Sequence, residues 1–541
     1  MPAAEVQEQE AEEADSDQAR GELRVAARRG TAFTVGLFAS AIVQFAFLTL
    51  ITHTIDQKEA GALFEAMAVF TICSNAAELG ADSGLLRLLP IYRRRRAQDV
   101  RRLALVALVP ALVVSCLAAL AVFLFADQLT NVFVHHAPRA SSADDLRILA
   151  LFLPASTVST VVCAGLLSWS AKQSVALNSF FTPFTRPVLF AGFMIVGVTP
   201  ELAALAWALP LGATCVASAV LLARKVRRSP ASRESTGYWV QMWPASFGRI
   251  AKEFWLFSLP RTFGAIFQIL VTYFDVLLVG AYMATKYAAA YSVASRYVLL
   301  STFALQAVGN AVPTQLSRLM DARSYGRVRQ VYASTTWWTI AFSWPPLLVL
   351  AVFGPLFLSV FGPGYGVAST ALAVLALSML ANIGTGPNGV LLLMAGRSRL
   401  NLTLQAVGLV TNIVLNLLLI PRIGLLGAAI AWAVTILLTS GLASAMLWRQ
   451  IGIEPFGKGY AVVAGAALGC FGVLGALTRA TLGVGLLPFA GFAVVSCSLY
   501  GVILWKSRGV LNLDAFMATF GRFGKQLRRF RRDSPAAKVR V

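Results

Sequence analysis

Charged residues are scarce in this sequence. Asp, Glu, Lys and Arg make up 13% of the 541 residues, whereas 57% are hydrophobic, and the mean hydropathy is +0.70. Soluble domains typically carry about 25% charged and 45–50% apolar residues, so no soluble core could bury this chain. The net charge of +21 does not indicate nucleic acid as a partner, because Arg and Lys cluster between apolar runs, as they do in polytopic membrane proteins.

Residues and motifs for catalysis or metal binding are also lacking. The chain has three histidines, and its six cysteines fall within apolar runs without paired spacing. Neither a disulfide framework nor a metal site is therefore predicted. No Gly-rich phosphate loop, nucleophile elbow or zinc motif is present. We expect a protein that is not an enzyme and that has no cofactor and no metal.

Long apolar runs dominate the rest of the chain. A helix needs about 20 apolar residues to cross a bilayer core of about 30 Å. The predicted fold is an all-α polytopic membrane protein with about fourteen transmembrane helices. The runs lie near 31–52, 60–84, 103–125, 146–168, 178–199, 201–223, 254–281, 287–312, 332–353, 367–394, 400–420, 424–447, 460–478 and 485–505.

The charge distribution predicts the topology. If both termini lie on the same side of the membrane, roughly 37 of the 46 Lys and Arg fall on that side. By the positive-inside rule, that side is cytoplasmic. The protein is thus expected in the plasma membrane with cytoplasmic N- and C-termini. The weakest point of this topology is the 178–199 run, which carries Arg186 and Pro187.

A weak internal repeat divides the chain. The segment Ser40–Gln44 (SAIVQ) parallels Gly264–Gln268 (GAIFQ), and LLRL around Arg87 parallels LSRL around Arg318. Six runs separate the copies, so both cross the membrane in the same direction. This pattern predicts two parallel six-helix lobes with a site between them.

The predicted segments follow from this repeat and from composition. The basic amphipathic C-terminal tail is predicted to form a helix that lies on anionic membrane lipids. Alternatively, it contributes only to the excess of positive charge on the cytoplasmic side. In chain order the segments are an acidic then basic cytoplasmic tail (1–29), an N-lobe (30–224), a basic cytoplasmic linker (225–253), a C-lobe (254–450), two further helices (451–505) and the basic tail (506–541).

Three stretches resemble the polysaccharide-transport (Wzx-like) flippases of the multidrug/oligosaccharidyl-lipid/polysaccharide exporter (MOP) superfamily. They are AELGADSGLLRLLPIY at Ala77–Tyr92, FWLFSLPR with YAAAYSVASRY and NAVPTQLSRL after Phe254, and the region from Leu356 that contains NIGTGPNGVLLLMAGRSRLNL and NIVLNLLLIPRIGLLGAAIAW. The resemblance covers about 30–450. It implies two lobes that open alternately and move a polyprenyl-diphosphate-linked oligosaccharide to the outer leaflet for cell-surface polysaccharide such as lipopolysaccharide. Polysaccharide polymerase and glycosyltransferases would be partners.

Charges at membrane depth are the candidate site. Arg261, Asp275 and Arg296 lie inside apolar runs, where a charge costs about 2.5–3.5 kcal/mol on insertion scales. Arg296 lies about nine residues, or roughly 14 Å, into its run, and we predict that it binds the diphosphate. Arg261 and Arg87 lie nearer the inner face and would receive the head group first, or would merely snorkel. Alternatively, Arg296 forms an ion pair with Asp275.

Two further carboxylates accompany these residues. Glu78 and Asp82 are four residues apart on one helix face, where like charges repel. One of them would be protonated or would pair with Arg87. Together with Asp275, they are candidates for a site that couples transport to an ion.

Amides and a helix break complete the candidates. The amides Gln44, Gln268 and Asn310 would line a sugar-binding groove or form helix–helix hydrogen bonds. Glycines and a proline in mid-run must loosen a helix, which is tolerated where neighbours or a cavity satisfy the backbone. We predict a hinge or a cavity-lining break at Gly384, Gly386, Pro387 and Gly389.

Two alternatives to the flippase remain. A cation-coupled multidrug (MATE-type) exporter would share the fold but would need a net acidic cavity, and Arg296 argues against that. A membrane polysaccharide polymerase or ligase would need a sizeable external loop. The longest predicted external loop, Ala126–Asp145, has about twenty residues.

Overall fold

The computed structural model describes residues 39–95, 99–133, 139–195, 197–227, 246–300, 320, 325–452, 456–507 and 509, and the regular elements in these ranges are all helices. The prediction of an all-α membrane protein is confirmed. Within a bilayer core, a helix satisfies its own backbone polar groups, and no water is needed to do so. Most of the predicted N-terminal tail, basic linker and C-terminal tail lies outside the described residues.

The helices follow one another along the chain with short connections. They are α1 Ala39–Thr54, α2 Gln57–Ala77, α3 Ala81–Arg95, α4 Val100–Leu124, α5 Ala126–Phe133, α6 Arg139–Leu166, α7 Ala171–Val175, α8 Thr182–Phe193, α9 Pro200–Arg227, α10 Ser246–Tyr282, α11 Thr285–Leu300, α12 Tyr325–Ser359, α13 Ser369–Gly384, α14 Asn388–Met394, α15 Ser398–Ile423, α16 Leu425–Ile451, α17 Lys458–Ala467, α18 Leu474–Leu482 and α19 Leu486–Lys506. Two π-helical turns, Ala176–Phe181 and Leu468–Val473, join α7 to α8 and α17 to α18.

Eleven helical segments in the described ranges are long and apolar enough to cross a membrane. They coincide with eleven of the predicted apolar runs. The other three runs correspond to α1, to the α7–α8 segment that the π turn interrupts, and to α11. The number of fourteen transmembrane helices stays a prediction.

By contact density the chain divides into two compact units. The first contains residues 1–303, 357–375 and 398–439, and the second contains 304–356, 376–397 and 440–541. The predicted lobe boundaries stay a prediction.

Glycines allow close helix packing in the first unit. A Cβ at Gly61 of α2 would overlap the carbonyl oxygen of Thr285 at the start of α11. A Cβ at Gly280 of α10 would likewise overlap the carboxylate of Glu65. Because the obstructing atom at Gly61 is backbone, α2 and α11 approach as closely as they do only while this residue is glycine.

A break separates α2 from α3 in the same unit. Leu79 has φ +51° and Gly80 has φ +66°, so the chain leaves the right-handed helical region for two residues. A Cβ at Gly80 would lie 2.6 Å from the carbonyl oxygen of Ser258, so α10 packs directly against the break. The break separates Glu78 from Asp82.

A second break, in the second unit, lies where the glycines and proline predicted it. Helix α13 ends at Gly384 and α14 begins at Asn388, with Gly386 at φ +81°. The Tyr332 hydroxyl lies within hydrogen-bond distance of two acceptors, the Thr385 carbonyl at 2.6 Å and Asn388 Oδ1, while Asn388 Nδ2 donates to Ser444 Oγ at 2.9 Å. Side chains thus satisfy the backbone freed by the break. Movement at this break stays a prediction.

The substitution Gly61→Ala tests the close packing of α2. We expect it to lower the free energy of unfolding by about 1–3 kcal/mol, because overpacking forces backbone shifts. Thermal unfolding in detergent, followed by intrinsic fluorescence, would measure this. Gly192→Ala in α8 is the control, since no atom lies within 4 Å of a Cβ there. Equal melting temperatures for the two variants would contradict the prediction.

Candidate functional site: a cavity lined by two arginines

A cavity of about 630 Å³ lies within the first unit. Helices α1, α2, α3, α6, α8, α9, α10 and α11 and the first π turn contribute to its wall. The charged side chains that line it are Glu78, Asp82, Arg186 and Arg296. Amides from Gln44, Asn75 and Asn178 and several Ser and Thr hydroxyls make the remaining wall partly polar. The cavity can therefore hold a polar, charged ligand at membrane depth.

Arg296 of α11 lies in this wall, as a candidate ligand-binding residue should. Its Nη1 donates to the hydroxyl of Tyr273 on α10 at 2.9 Å, and its guanidinium carbon lies 4.9 Å from the centroid of that ring. The side chain is half-buried. These two contacts orient the guanidinium without neutralising its charge.

Arg186 of α8 lies in the same wall, and the sequence analysis did not select it as a site residue. Its side chain is 7% exposed, its Nε donates to the Trp207 carbonyl at 3.0 Å, and its guanidinium carbon lies 4.4 Å from the Trp207 ring centroid. The two terminal nitrogens remain available to the cavity. The sequence did contain a signal for Arg186, because an arginine inside the 178–199 run is as costly as Arg296 inside the 287–312 run.

The π turn before α8 supports this part of the wall. Its last residue, Phe181, is followed by Thr182, whose Oγ1 donates to the carbonyl of Leu177 at 3.1 Å and lies 2.6 Å from Thr214 Oγ1 of α9. Both of these hydroxyl contacts are buried or half-buried, so α8 is tied to α9 one turn before Arg186. Single π turns of this kind occur frequently at functional sites.

The ion pair suggested between Asp275 and Arg296 is not formed in the described structure. Asp275 is 1% exposed, and its carboxylate accepts hydrogen bonds from Asn416 Nδ2 at 2.7 Å and from the Tyr291 hydroxyl at 3.2 Å. Tyr273, which contacts Arg296, precedes Asp275 by two residues. Since successive helical residues are rotated by about 100°, these two side chains lie on nearly opposite faces of α10.

Asp275 instead belongs to a buried polar cluster with α15. Asn412 and Asn416 are each 0% exposed and one turn apart. Neither side-chain oxygen of these two asparagines has a hydrogen-bond donor in the described structure. The cluster therefore collects carboxylate and amide oxygens, the atoms that hard cations prefer. A coupling role for Asp275 stays a prediction.

The remaining candidates are distributed over the first unit or lie outside the described residues. Gln44 lines the cavity, with Nε2 3.2 Å from Ser40 Oγ. Arg87 and Arg261 are exposed and both contact the ring of Phe257, at 4.3 and 4.5 Å from its centroid. They do not line this cavity, and neither does Gln268. Asn310 lies outside the described residues.

Removal of one partner tests the buried cluster. We expect Asn416→Ala to lower the free energy of unfolding by about 1–3 kcal/mol, because it leaves the buried Asp275 carboxylate without its 2.7 Å donor. Thermal unfolding in detergent would measure the change. Gln268→Ala, on the same helix as Asp275 but exposed, is the control and should have little effect. Equal destabilisation by both substitutions would contradict this account of Asp275.

Comparisons with known proteins find similarity to one family and to one curated relative. The MatE family matches residues 260–418. A probable flippase AglR from Haloferax volcanii is 26% identical over 210 residues, which are 38% of this chain and 42% of the relative, so the match spans less than half of that protein.

Solved transporter structures share the fold. A lipid II flippase MurJ in an inward closed conformation superposes with a TM-score of 0.67 at 13% identity, over 89% of this chain and 100% of that one. An inward-facing multidrug resistance MATE family transporter of the MOP superfamily gives a TM-score of 0.62 at 14% identity, over 79% of this chain and 98% of that one.

Proposed function

We propose that this chain is a member of the MOP superfamily and that it flips polyprenyl-diphosphate-linked oligosaccharides from the inner to the outer leaflet of the plasma membrane. In this proposal it is a polysaccharide-transport (Wzx-like) flippase, and the sugars serve the synthesis of cell-surface polysaccharide by polymerases and glycosyltransferases. The observation that carries the proposal is the presence of Arg186 and Arg296 in one cavity, neither with a carboxylate partner among the residues that the structure describes.

Two unpaired arginines in a membrane cavity are costly without an anion. Each charge has lost much of its hydration, and the two repel each other across the cavity. A diphosphate supplies negative charge and several acceptor oxygens, which the planar guanidinium groups match in geometry. Binding the diphosphate would therefore offset the cost of holding both arginines at this depth.

The arginines are also held in place before a ligand arrives. Trp207 stacks with Arg186 and accepts from its Nε, and Tyr273 does the same for Arg296 through its hydroxyl and ring. A side chain already restrained loses less conformational entropy on binding. Aromatic partners restrain the guanidinium groups without competing for them as a carboxylate would.

Transport would proceed by alternating access of two lobes, 30–224 and 254–450. Arg87 and Arg261, exposed and stacked on Phe257, would capture the diphosphate at the inner leaflet before it enters the cavity. Asp275, buried with Asn412 and Asn416, would couple the movement to a cation or a proton. The break between Gly384 and Asn388 would act as the hinge.

A cation-coupled multidrug exporter is the second candidate. Glu78 and Asp82 in the same cavity favour it, since carboxylates at depth attract cationic compounds. The two functions make opposite demands on the arginines. A cationic drug would bind better without them, whereas a diphosphate would bind worse.

Reconstitution distinguishes the two. The protein would be placed in liposomes carrying a lipid-linked oligosaccharide, and arrival of the sugar outside would be followed with an impermeant oxidant. We expect protein-dependent flipping that falls about 10- to 100-fold in Arg186→Gln and in Arg296→Gln, because each removes charged hydrogen bonds worth about 1.5–3 kcal/mol. Flipping by Arg186→Lys should be intermediate, since lysine keeps the positive charge but lacks the planar guanidinium group.

Arg147→Gln is the control for loss of an arginine. Arg147 forms ion pairs with Asp127 and Asp144 and is 33% exposed in its side chain, so flipping should be unchanged. Normal flipping by folded Arg186→Gln and Arg296→Gln proteins would contradict the proposed site. Efflux of a fluorescent cation, together with no flipping of any lipid-linked sugar, would favour the multidrug exporter.

A further inference from the structure

The acidic side of the cavity has a fixed backbone. Glu78 directly precedes Leu79, the non-glycine residue with positive φ in the described ranges. A left-handed conformation is unfavourable for a residue with a side chain, and such strain persists where the surrounding structure imposes it and clusters at ligand sites. Here α10 packs against Gly80, so the positions of Glu78 and Asp82 are held by the fold and not by each other.

The two carboxylates have no cationic partner in the part of the chain that the structure describes. The ion pairs found there involve other residues. Arg87, on the same helix as Asp82, contacts Phe257. Asp82 accepts a hydrogen bond of 3.3 Å from its neighbour Ser83. Both carboxylates therefore face the cavity with acceptor capacity for a ligand.

Arg186 shows independently that the cavity is built for a ligand. Its side chain is more than nine-tenths buried, and its terminal nitrogens have no hydrogen-bond partner in the described structure. The cavity thus holds two arginines and two acidic residues that form no ion pair with each other in the described structure. A single ligand satisfies both sets if it carries a dianion at one end and several hydrogen-bond donors at the other.

The size and polarity of the cavity indicate which part of the substrate enters. Its volume of about 630 Å³ lies within the range of roughly 300–1,000 Å³ that encloses a drug-sized ligand. This volume suits a diphosphate with its first sugars. Amides from Asn75 and Asn178 in the same wall add donors and acceptors for sugar hydroxyls.

Given the proposed function, on which this inference rests, we propose that Glu78 and Asp82 bind the sugar next to the diphosphate and select against acidic sugars there. The hydroxyls of a neutral sugar donate to the two carboxylates. A uronic acid at this position places a third carboxylate against them and leaves fewer donors. Specificity then comes from repulsion of the wrong substrate as much as from attraction of the right one.

A binding measurement on the purified full-length protein in nanodiscs tests this selection. The two probes are farnesyl-diphosphate-linked glucose and farnesyl-diphosphate-linked glucuronic acid, which differ only in the charge of the sugar. We expect the wild type to bind the glucose probe at least tenfold more tightly. Glu78→Gln and Asp82→Asn should bring the ratio of the two Kd values towards one, mainly by strengthening the binding of the glucuronic acid probe.

Two controls separate the possible causes. Arg186→Gln should weaken the binding of both probes and leave the ratio of their Kd values unchanged, because Arg186 contacts the diphosphate that both probes share. Asp127→Asn, an exposed carboxylate that pairs with Arg147, should change neither Kd. Both Glu78→Gln and Asp82→Asn keep the shape of the side chain, and if one of them fails to fold, the other decides the result.

The outcomes also separate this inference from the proposed function. Equal Kd values for the two probes in the wild type overturn the sugar selection and leave the flippase intact. A preference for glucose that persists in Glu78→Gln and Asp82→Asn overturns the assignment to these residues. If the wild type binds neither probe, both the selection and the proposed function are overturned.

Discussion

The first unit depends on the constraint that two arginines in apolar segments have no carboxylate partner among the described residues. Arg186 and Arg296 come from helices more than one hundred residues apart, and each is held by an aromatic residue of a neighbouring helix. Pairing with a carboxylate would have been the simplest way to satisfy either charge in a membrane. The fold instead keeps the cations on the wall of a cavity, where an anionic ligand is needed to satisfy them.

Several helices are interrupted, and two of the interruptions lie beside this cavity. The π turn before α8 and the two left-handed residues between α2 and α3 interrupt helices at the cavity wall of the first unit. In the second unit, the gap between Gly384 and Asn388 is matched by hydrogen bonds from Tyr332. At the π turn and at the gap after Gly384, side-chain hydroxyls bond to backbone carbonyls. Across the break between α2 and α3, the backbone N–H groups of Leu79 and Ala81 donate to the carbonyls of Ala76 and Glu78.

Tyr273 and Asp275, two residues apart on α10, face different surroundings. Tyr273 faces the cavity and orients Arg296, whereas Asp275 faces α15 and α11 and is closed off from the cavity. The same helix therefore contributes to the wall that would bind substrate and to a buried oxygen-rich cluster. A change in one can therefore reach the other through the helix that they share.

The sequence by itself determined the membrane setting, the all-helical fold and the presence of charges at depth, because hydropathy and run length are properties of consecutive residues. It also located the break near Gly386 from local composition. Only the tertiary structure decided that Arg186 joins Arg296, that Asp275 pairs with Asn416 and not with an arginine, and that Arg87 and Arg261 share Phe257. Those partners lie on different helices, and which faces meet depends on helix rotation and packing, which a hydropathy pattern does not record.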